Sequence, residues 1–347
     1  SSNVAGTANW VYSSRTITMT ISASGSNISL RQGVETVVKI TNVRTPSSVV
    51  IQRTSTDLTT QDSAVKTVDT VASVQTDAIV AGTFVGLKSF VSTRKTPGFK
   101  SQHRLSFTTA GHVQAEGKLY LALKQESGCQ RGWDMDAAPA LGFSTPASGA
   151  PTNTAKSWDY DSRTLTLTTA TATMAQETAH AIDVTNVRTP SSVVPTASAS
   201  SLTSKDSKDK VIDTVATITT DQIAAGAIVG SPTFVSATKT PGFKSTHTVS
   251  FKTAGRVLAA GKIVIVCPDM TTNQQTGWGF ESPTASFSTP NSGAPDATPV
   301  FNTRTLTVTT ATNMMEQETS FVFALTNVRT PSSVVVIGAL DITTQDS

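Results

Sequence analysis

The chain repeats itself, and this internal repetition constrains its architecture more than any other feature of the sequence. The segment TNVRTPSSVV begins at residues 41, 185 and 326, so successive copies are offset by 144 and 141 residues. KTPGFKS returns after the same interval, at 95–101 and 239–245, and TTQDS returns two repeats later, at 59–63 and 343–347. The repetition predicts three domains: one repeat at 1–146, a second at 147–290, and a partial third at 291–347.

Each repeat opens with threonine alternating with apolar residues, in the segments SRTITMT, SRTLTLT and TRTLTVT. A period of two indicates a β-strand with one buried face and one face in solvent. Further strands are predicted in the second repeat at 180–187, 191–197, 210–219, 226–236, 246–253, 261–267 and 278–288. A short helix is predicted at 219–226, with its counterpart in the first repeat at 75–82.

About eight strands in 144 residues are typical of one β-sandwich, somewhat larger than an immunoglobulin domain. The predicted fold class is therefore all-β, with tandem immunoglobulin-like β-sandwich repeats of about 141–144 residues. The short SGAP linkers at 148–151 and 292–295 predict a stiff row of repeats.

The composition argues against several functional classes. Charged residues are 15% of the chain and the net charge is +3, without a block of like charges, so nucleic-acid binding is not expected. No apolar run reaches the ~18 residues that a membrane-spanning helix needs. Serine and threonine account for 101 of the 347 residues. Abundant β-branched residues and the low net charge favour a folded β-protein over a disordered chain.

Catalysis and cofactor binding are not predicted, because reactive side chains do not recur in a suitable arrangement. His103 and His247 occupy matching positions, but no metal-ligand spacing or catalytic motif accompanies them. Cys129 and Cys267 fall at different places in the repeat, so buried or capped thiols are expected rather than a bridge between repeats. We expect a protein that is not an enzyme and binds neither a metal nor another cofactor.

The TPSS element within each TNVRTPSS segment supports a structural and a modification hypothesis. Proline prevents a ladder hydrogen bond and forces the preceding threonine to be extended, which predicts an exposed kink between two strands. Serine and threonine beside proline in such a segment are accessible to O-linked sugar. The candidates are Thr45, Ser47, Ser48, Thr189, Ser191, Ser192, Thr330, Ser332 and Ser333. Asn27 is the candidate for N-glycosylation, in a sequon that only the first repeat carries.

Two Gly-Trp pairs lie in loops that differ between the repeats. In an adhesin, Trp133 and Trp278 would stack on a sugar of the ligand. The alternative is that each tryptophan opens a buried strand and belongs to the core, which is the more common role.

The segment TKTPGFKSTHTVSFKTAGRVLAAGKIVIVCPD, at 238–269, resembles a repeat of giant tandem-repeat surface proteins of algae and other protists. That repeat combines Thr-Pro-Gly, a strand ending in Phe-x-Thr, and Ala-Gly-Lys-Ile before an apolar strand that ends in proline. The first repeat departs from it at Glu116 and after Leu123, where no proline follows. The resemblance implies an extracellular or cell-surface β-sandwich array, often glycosylated, of flagellar-hair or fibre type and without enzymatic activity. It also implies Pro46, Pro190 and Pro331 as candidates for glycosylated hydroxyproline.

The partial third repeat contains the opening strand, TNVRTPSS and one more strand. We expect it to be completed either by a further repeat of a longer array or by strands of a neighbouring chain. The leading functional hypothesis is a structural subunit of an extracellular filament or surface coat, a glycosylated homopolymer assembled head to tail. The alternative is an adhesin that binds a carbohydrate or a protein. A hydrolase ranks third, because no constellation of acid, base or nucleophile is present.

Overall fold

The structure is a computed structural model that describes residues 6–11, 14–21, 30, 32–54, 56–136, 139–146, 151–195, 200–268, 276–289, 297–310, 313–335 and 340–347. Asn27 lies outside the described residues. The described part contains strands and turns but no helix, which confirms the all-β prediction. It therefore also contains no helix that could span a membrane. The chain divides into two compact units, Ser1–Thr45 and Pro46–Ser347.

The strands follow the alternation of apolar and polar residues. In chain order they are β1 (Gly6–Val11), β2 (Thr16–Ile21), β3 (Thr56–Gln61), β4 (Thr67–Val74), β5 (Val85–Ser92), β6 (Lys100–Thr108), β7 (Lys118–Ala122), β8 (Asp134–Met135), β9 (Leu141–Thr145), β10 (Asn153–Asp159), β11 (Thr164–Thr169), β12 (Ala179–Arg188), β13 (Ser200–Lys205), β14 (Val211–Thr220), β15 (Val229–Ser236), β16 (Lys244–Lys252), β17 (Lys262–Val266), β18 (Gly279–Phe280), β19 (Ala285–Thr289), β20 (Ala297–Asn302), β21 (Thr305–Thr310), β22 (Ser320–Arg329) and β23 (Asp341–Gln345).

The first sandwich comprises β5 to β14 and takes its strands from two successive repeats. Their order is β10-β11-β7-β13-β14-β5-β6-β12-β8, with β9 also paired to β12. The strand β14 connects the two layers, because its C-terminal end pairs in parallel with β5. Since β7 lies between β11 and β13, the second half of the first repeat is interleaved with the first half of the second repeat.

One apolar core fills the space between the two layers. Leu121 of β7 and Leu165 of β11 face it from one layer, and Leu105 of β6 and Ile182 of β12 face it from the other. Each of these side chains is at most 3% exposed. Burial of a leucine or isoleucine contributes about 1.5–3 kcal/mol relative to exposure, so this interleaved core holds the two repeats together.

The second sandwich comprises β15 to β23 and is built in the same way. One layer has the order β20-β21-β17-β23 and the other β15-β16-β22-β18, with β19 beside β22. Leu306 and Val308 of the partial third repeat are 0% exposed in a core that they share with the second repeat. The expectation that a further repeat or a neighbouring chain completes residues 291–347 stays a prediction. The limits 1–146, 147–290 and 291–347 stay a prediction from the sequence repeats, whereas each core joins halves of two repeats.

Three local predictions are wrong. The proposed helix at 219–226 is extended, because Ile223 is buried in the core and forms a β-bridge with Val194. Of the strand predicted at 191–197, only this bridge forms within the described residues 191–195. The strand predicted at 278–288 is two strands, β18 and β19, with a turn between them.

Candidate functional site

The histidines that recur in the two repeats are core residues. His103 is 0% exposed, and its ring stacks on Phe90 with the ring centres 5.0 Å apart. The edge of the Trp133 ring lies against the same histidine at 5.3 Å. The equivalent cluster in the second sandwich consists of Phe234, His247 and Trp278.

These aromatic surroundings keep the histidines neutral. Burial lowers the pKa of His103 and that of His180 from 6.5 to about 4, and it also lowers the pKa of His247. Burial likewise raises the pKa of the free Cys267 thiol to about 11, which makes that thiol a poor nucleophile. Within the described ranges, no group of three or more histidine, cysteine or acidic residues is placed to hold a metal ion.

The two Gly-Trp tryptophans lie against the cores. Trp133 is 1% exposed and belongs to the first core, so neither face of its indole is available to a sugar. Trp278 is half-buried and packs against the second core. The Gly-Trp loops therefore do not present a pair of stacking platforms.

The three TPSS elements differ in exposure. Thr189 and Thr330 are 1% and 6% exposed, and Pro190 and Pro331 are buried with them. The prediction of an exposed kink is wrong for these four residues. The exposed candidates are Thr45, Pro46, Ser332 and Ser333, and the half-buried ones are Ser47, Ser48, Ser191 and Ser192.

The buried threonine hydroxyl has a structural role. Thr189 Oγ1 donates a hydrogen bond to the Thr96 carbonyl at 2.5 Å and accepts one from the Phe99 amide at 2.9 Å. Thr330 repeats both bonds with the second KTPGFKS turn, at 2.6 and 3.0 Å. The hydroxyl thus ties TPSS to KTPGFKS, and a sugar on this oxygen would abolish the bond that it donates.

The first and second sandwiches meet at a polar surface, which we call the junction. On the first sandwich it is formed by Gly98, Lys100, Gln130, Asp136, Arg188, Ser191 and Ser192, and on the second by Gly255, Arg256, Ala259, Glu316, Gln317 and Asp346.

Arg188 is the centre of the junction. Its side chain is 4% exposed and forms a two-pronged ion pair with Asp136 of the same sandwich. It also donates a hydrogen bond to the Gly98 carbonyl at 2.5 Å. Towards the second sandwich it donates to Gln317 Oε1 at 3.1 Å and lies 3.7 Å from the Glu316 carboxylate. The fixed fork of a guanidinium makes such contacts sensitive to orientation.

The carboxylate of Asp136 is shared between two arginines. Arg256 of the second sandwich, whose side chain is 8% exposed, approaches Asp136 Oδ1 to 3.4 Å. Burial alone would raise the pKa of Asp136, but Arg188, Arg256 and Lys100 outweigh it and hold the pKa below its ordinary value. Asp136 is therefore ionised at neutral pH and bridges cations of both sandwiches.

Two glycines allow the backbones of the sandwiches to touch. The Arg256 amide donates a hydrogen bond to the Gly98 carbonyl at 3.2 Å. A Cβ atom on Gly98, whose φ is +62°, would lie 2.4 Å from the Arg256 carbonyl oxygen. A Cβ on Gly255 would lie 1.8 Å from the Pro97 oxygen. The close approach therefore requires glycine at both positions.

The TPSS serines bind an aspartate of the following repeat. Asp346 Oδ2 accepts hydrogen bonds from Ser191 Oγ at 2.5 Å and from Ser192 Oγ at 2.8 Å. One repeat earlier, burial raises the pKa of Asp206, but hydrogen bonds from the Lys210 amide and from Ser48 lower it below its ordinary value. The same serine–aspartate contact thus occurs twice along the chain.

The second sandwich carries the arginine constellation of the junction in an uncovered form. Arg329 bonds to Glu281 Oε1 at 2.7 and 3.0 Å and donates to the Gly242 carbonyl at 2.8 Å. The side chains of Arg329 and Glu281 are 42% and 49% exposed, against 4% and 21% for Arg188 and Asp136. Within the described part of the chain, no further sandwich lies on this end.

The sequence contained two signals for the junction that our sequence analysis missed. An arginine stands directly before each TPSS, at Arg44, Arg188 and Arg329. An acidic residue follows each Gly-Trp tryptophan by three positions, at Asp136 and Glu281. Repetition of both members of an ion pair indicated a shared contact, although it did not show which repeats the contact joins.

No protein-family model matches the chain, and no curated protein matches it. Solved structures with partial likeness include one that reports manganese lipoxygenase of Gaeumannomyces graminis with part of zonadhesin of Komagataella pastoris. That structure is 15% identical over 76% of this chain and 93% of its own, with a TM-score of 0.21.

Two further solved structures also match part of the chain. The serine-rich repeat adhesion glycoprotein Srr1 of Streptococcus agalactiae is 12% identical over 68% of this chain and 85% of its own, with a TM-score of 0.23. The type II cohesin dyad from the scaffoldin ScaA of Acetivibrio cellulolyticus is 13% identical over 70% and 85%, with a TM-score of 0.19. TM-scores this low support no statement about function. The proposed function is therefore argued from the geometry of the junction.

Proposed function

We propose that the chain is a structural module of an extracellular or cell-surface assembly, in which β-sandwich repeats stack end to end. The observation that carries this proposal is the arginine–carboxylate constellation, which is covered at the junction and uncovered on the second sandwich. The uncovered end thus offers a further repeat the same carboxylate, guanidinium and glycine carbonyl that already hold one repeat interface.

The chemistry of the junction suits a load-carrying array with fixed geometry. The two-pronged pair of Arg188 and Asp136 fixes orientation, and the contact at Gly98 fixes the distance between neighbouring sandwiches. Interleaving of strands from successive repeats adds a core that must unfold before the repeats can separate. A heterologous contact of this kind continues indefinitely unless its rotation closes a ring.

Location and glycosylation are parts of the same proposal. The resemblance of 238–269 to repeats of giant surface proteins supports an extracellular location, as does the high content of serine and threonine. The sites best placed for a sugar are Thr45, Ser332 and Ser333, because their residues are exposed. Thr189 and Thr330 are less suited to a sugar, because they are buried and their hydroxyls already donate hydrogen bonds.

The test is concentration-dependent association of the chain, measured by sedimentation velocity and by electron microscopy of the same samples. We expect end-to-end association that weakens in Arg329→Ala. Arg104→Ala is the matched control, because Arg104 is also an exposed arginine in a two-pronged pair, with Asp183 at 2.8 and 3.1 Å, on the face of a sheet. A chain that stays monomeric at every concentration, or one weakened equally by both substitutions, would contradict the proposal. A monomer that binds a glycan or protein would favour the adhesin alternative.

A further inference from the structure

One strand sequence occurs in two copies of the repeat but has different neighbours in each. The strand β3 contains Asp-Leu-Thr-Thr-Gln at 57–61, and β23 is Asp-Ile-Thr-Thr-Gln at 341–345. Five residue pairs join β23 to β17, and the corresponding strand β13 is joined to β7 in the same way. Among the described residues, β3 pairs only with β4, so its other edge is open.

The open edge leaves apolar side chains of the β3–β4 hairpin in solvent. Leu58 is 61% exposed, whereas its counterpart Leu202 is 0% exposed in the first core. Val68 is 64% exposed, whereas its counterpart Ile212 is 6% exposed. The hairpin therefore displays a core face without the layer that covers it elsewhere. An unpaired edge beside an exposed apolar face is a template for strand addition.

The first unit, Ser1–Thr45, also contains a strand that lacks a neighbour. In the sandwiches, β11 pairs with β7 and β21 pairs with β17. The equivalent strand β2 pairs only with β1 within the described residues. Two separate strands of the first repeat, β2 and β3, thus lack the same neighbour. In the sandwiches, the strands β7 and β17 occupy that position.

We propose that the open edge of β3 binds an antiparallel strand of the β17 type, supplied by another copy of the repeat. This inference deepens the proposed stacking function and rests on it. The near-identity of β3 and β23 sets the register: Leu58 lies opposite Ile265 of the incoming strand, Thr60 opposite Ile263, and Gln61 opposite Lys262.

The incoming strand is defined by the alternation of buried and outward-facing residues along β17. Ile263 and Ile265 are 0% exposed in the second core, while the alternate residues Lys262 and Val264 are only half-buried and face outward. A strand in this register places two isoleucines on the face that Leu58 and Val68 expose, and its backbone satisfies the open edge. Apolar side chains at alternate positions therefore determine which strands bind.

The experiment measures binding of a fluorescein-labelled peptide of residues 259–268, carrying Cys267→Ser, to the full chain by fluorescence anisotropy. We expect saturable binding that weakens at least tenfold when the peptide carries Ile263→Lys and Ile265→Lys, or when the chain carries Leu58→Lys. Leu87→Lys is the matched control, because Leu87 is 74% exposed on β5, outside the hairpin, and this variant keeps full affinity. Amide hydrogen exchange of β3 slows when the peptide binds.

The outcomes separate this inference from the stacking proposal. Absence of saturable binding, or binding that Leu58→Lys leaves unchanged, overturns strand addition even if the chain forms filaments. Equal loss of binding in Leu58→Lys and Leu87→Lys also overturns it, because the loss would then come from the added charge and not from the edge of β3. Binding that depends on Leu58, in a chain that does not associate end to end, overturns the stacking function and keeps the open edge as a strand-binding site.

Discussion

The opening strands of the first and second repeats have nearly the same sequence and opposite surroundings. In β2, Ile17 and Met19 are 40% and 43% exposed, whereas Leu165 and Leu167 of β11 are 3% and 2% exposed. The difference does not come from the strands themselves, which alternate identically. It comes from β7, which pairs with β11 and has no counterpart beside β2 in the described part of the chain. Burial in this protein is therefore decided by the second half of the preceding repeat.

Acidification is expected to lower the free energy of unfolding more than any of the substitutions below. It should destabilise the first sandwich but not residues 1–79. His103 and His180 have a pKa of about 4 in the folded state and about 6.5 when unfolded. Their neutral burial stabilises the fold fully above pH 6.5, and this stabilisation is lost as the pH falls towards 4, by roughly 3 kcal/mol for each histidine. Urea unfolding at a series of pH values measures it. Residues 1–79 contain no histidine and are not expected to share this dependence.

The natural control for this prediction is His180→Phe, because Phe321 occupies the equivalent position in the second sandwich. We expect the variant to lose part of the dependence on pH between 6.5 and 4. An unchanged pH profile would show that folding does not lower the pKa of His180.

Truncation of equivalent leucines tests the comparison directly. Leu202→Ala removes a side chain that is 0% exposed, and we expect a loss of about 3 kcal/mol in the free energy of unfolding. Leu58→Ala changes a side chain that is 61% exposed, and the expected loss is below ~0.5 kcal/mol. Urea unfolding followed by tryptophan fluorescence measures both. Similar losses would mean that β3 is already covered in solution.

Removal of the junction arginine is expected to cost less than the core leucine. Arg188→Ala leaves the partly exposed Asp136 carboxylate without its main partner, although Arg256 and Lys100 still face it, so we expect a loss of roughly 2 kcal/mol. Arg329→Ala removes an exposed ion pair with Glu281, so we expect little change in the free energy of unfolding. Thermal unfolding of the two variants compares them. Equal melting temperatures would show that the junction does not stabilise the chain.

The smallest expected effect comes from adding one methyl group, as an alanine substitution, at the junction or at the uncovered end of the second sandwich. Gly98 and Gly242 have nearly the same φ, +62° and +66°, so backbone strain cancels between their alanine variants. A Cβ on Gly98 collides with Arg256, whereas a Cβ on Gly242 meets nothing within 4 Å. We expect Gly98→Ala to be less stable than Gly242→Ala by about 1–2 kcal/mol in urea unfolding. Equal stabilities would place the sandwiches further apart.

Much of the fold was predictable because it is local. The segments predicted at 246–253 and 261–267 form β16 and β17, since alternation of apolar and polar residues decides which face is buried. The short helix at 219–226 was mispredicted because its pattern is brief, and burial of Ile223 favoured the extended form. The junction was not predicted, since Arg188, Asp136 and Gln317 come from three different repeats.

The sequence by itself determined the local backbone. Asn42, Asn186 and Asn327 have φ values of 62°, 60° and 56°, although Asn42 is exposed and the other two are half-buried. Asparagine tolerates this left-handed conformation wherever it stands, because its preference depends on the residue and its neighbours in the chain. Only the tertiary structure decided which of the three copies is buried, because strand pairing and core packing need partners from the preceding repeat.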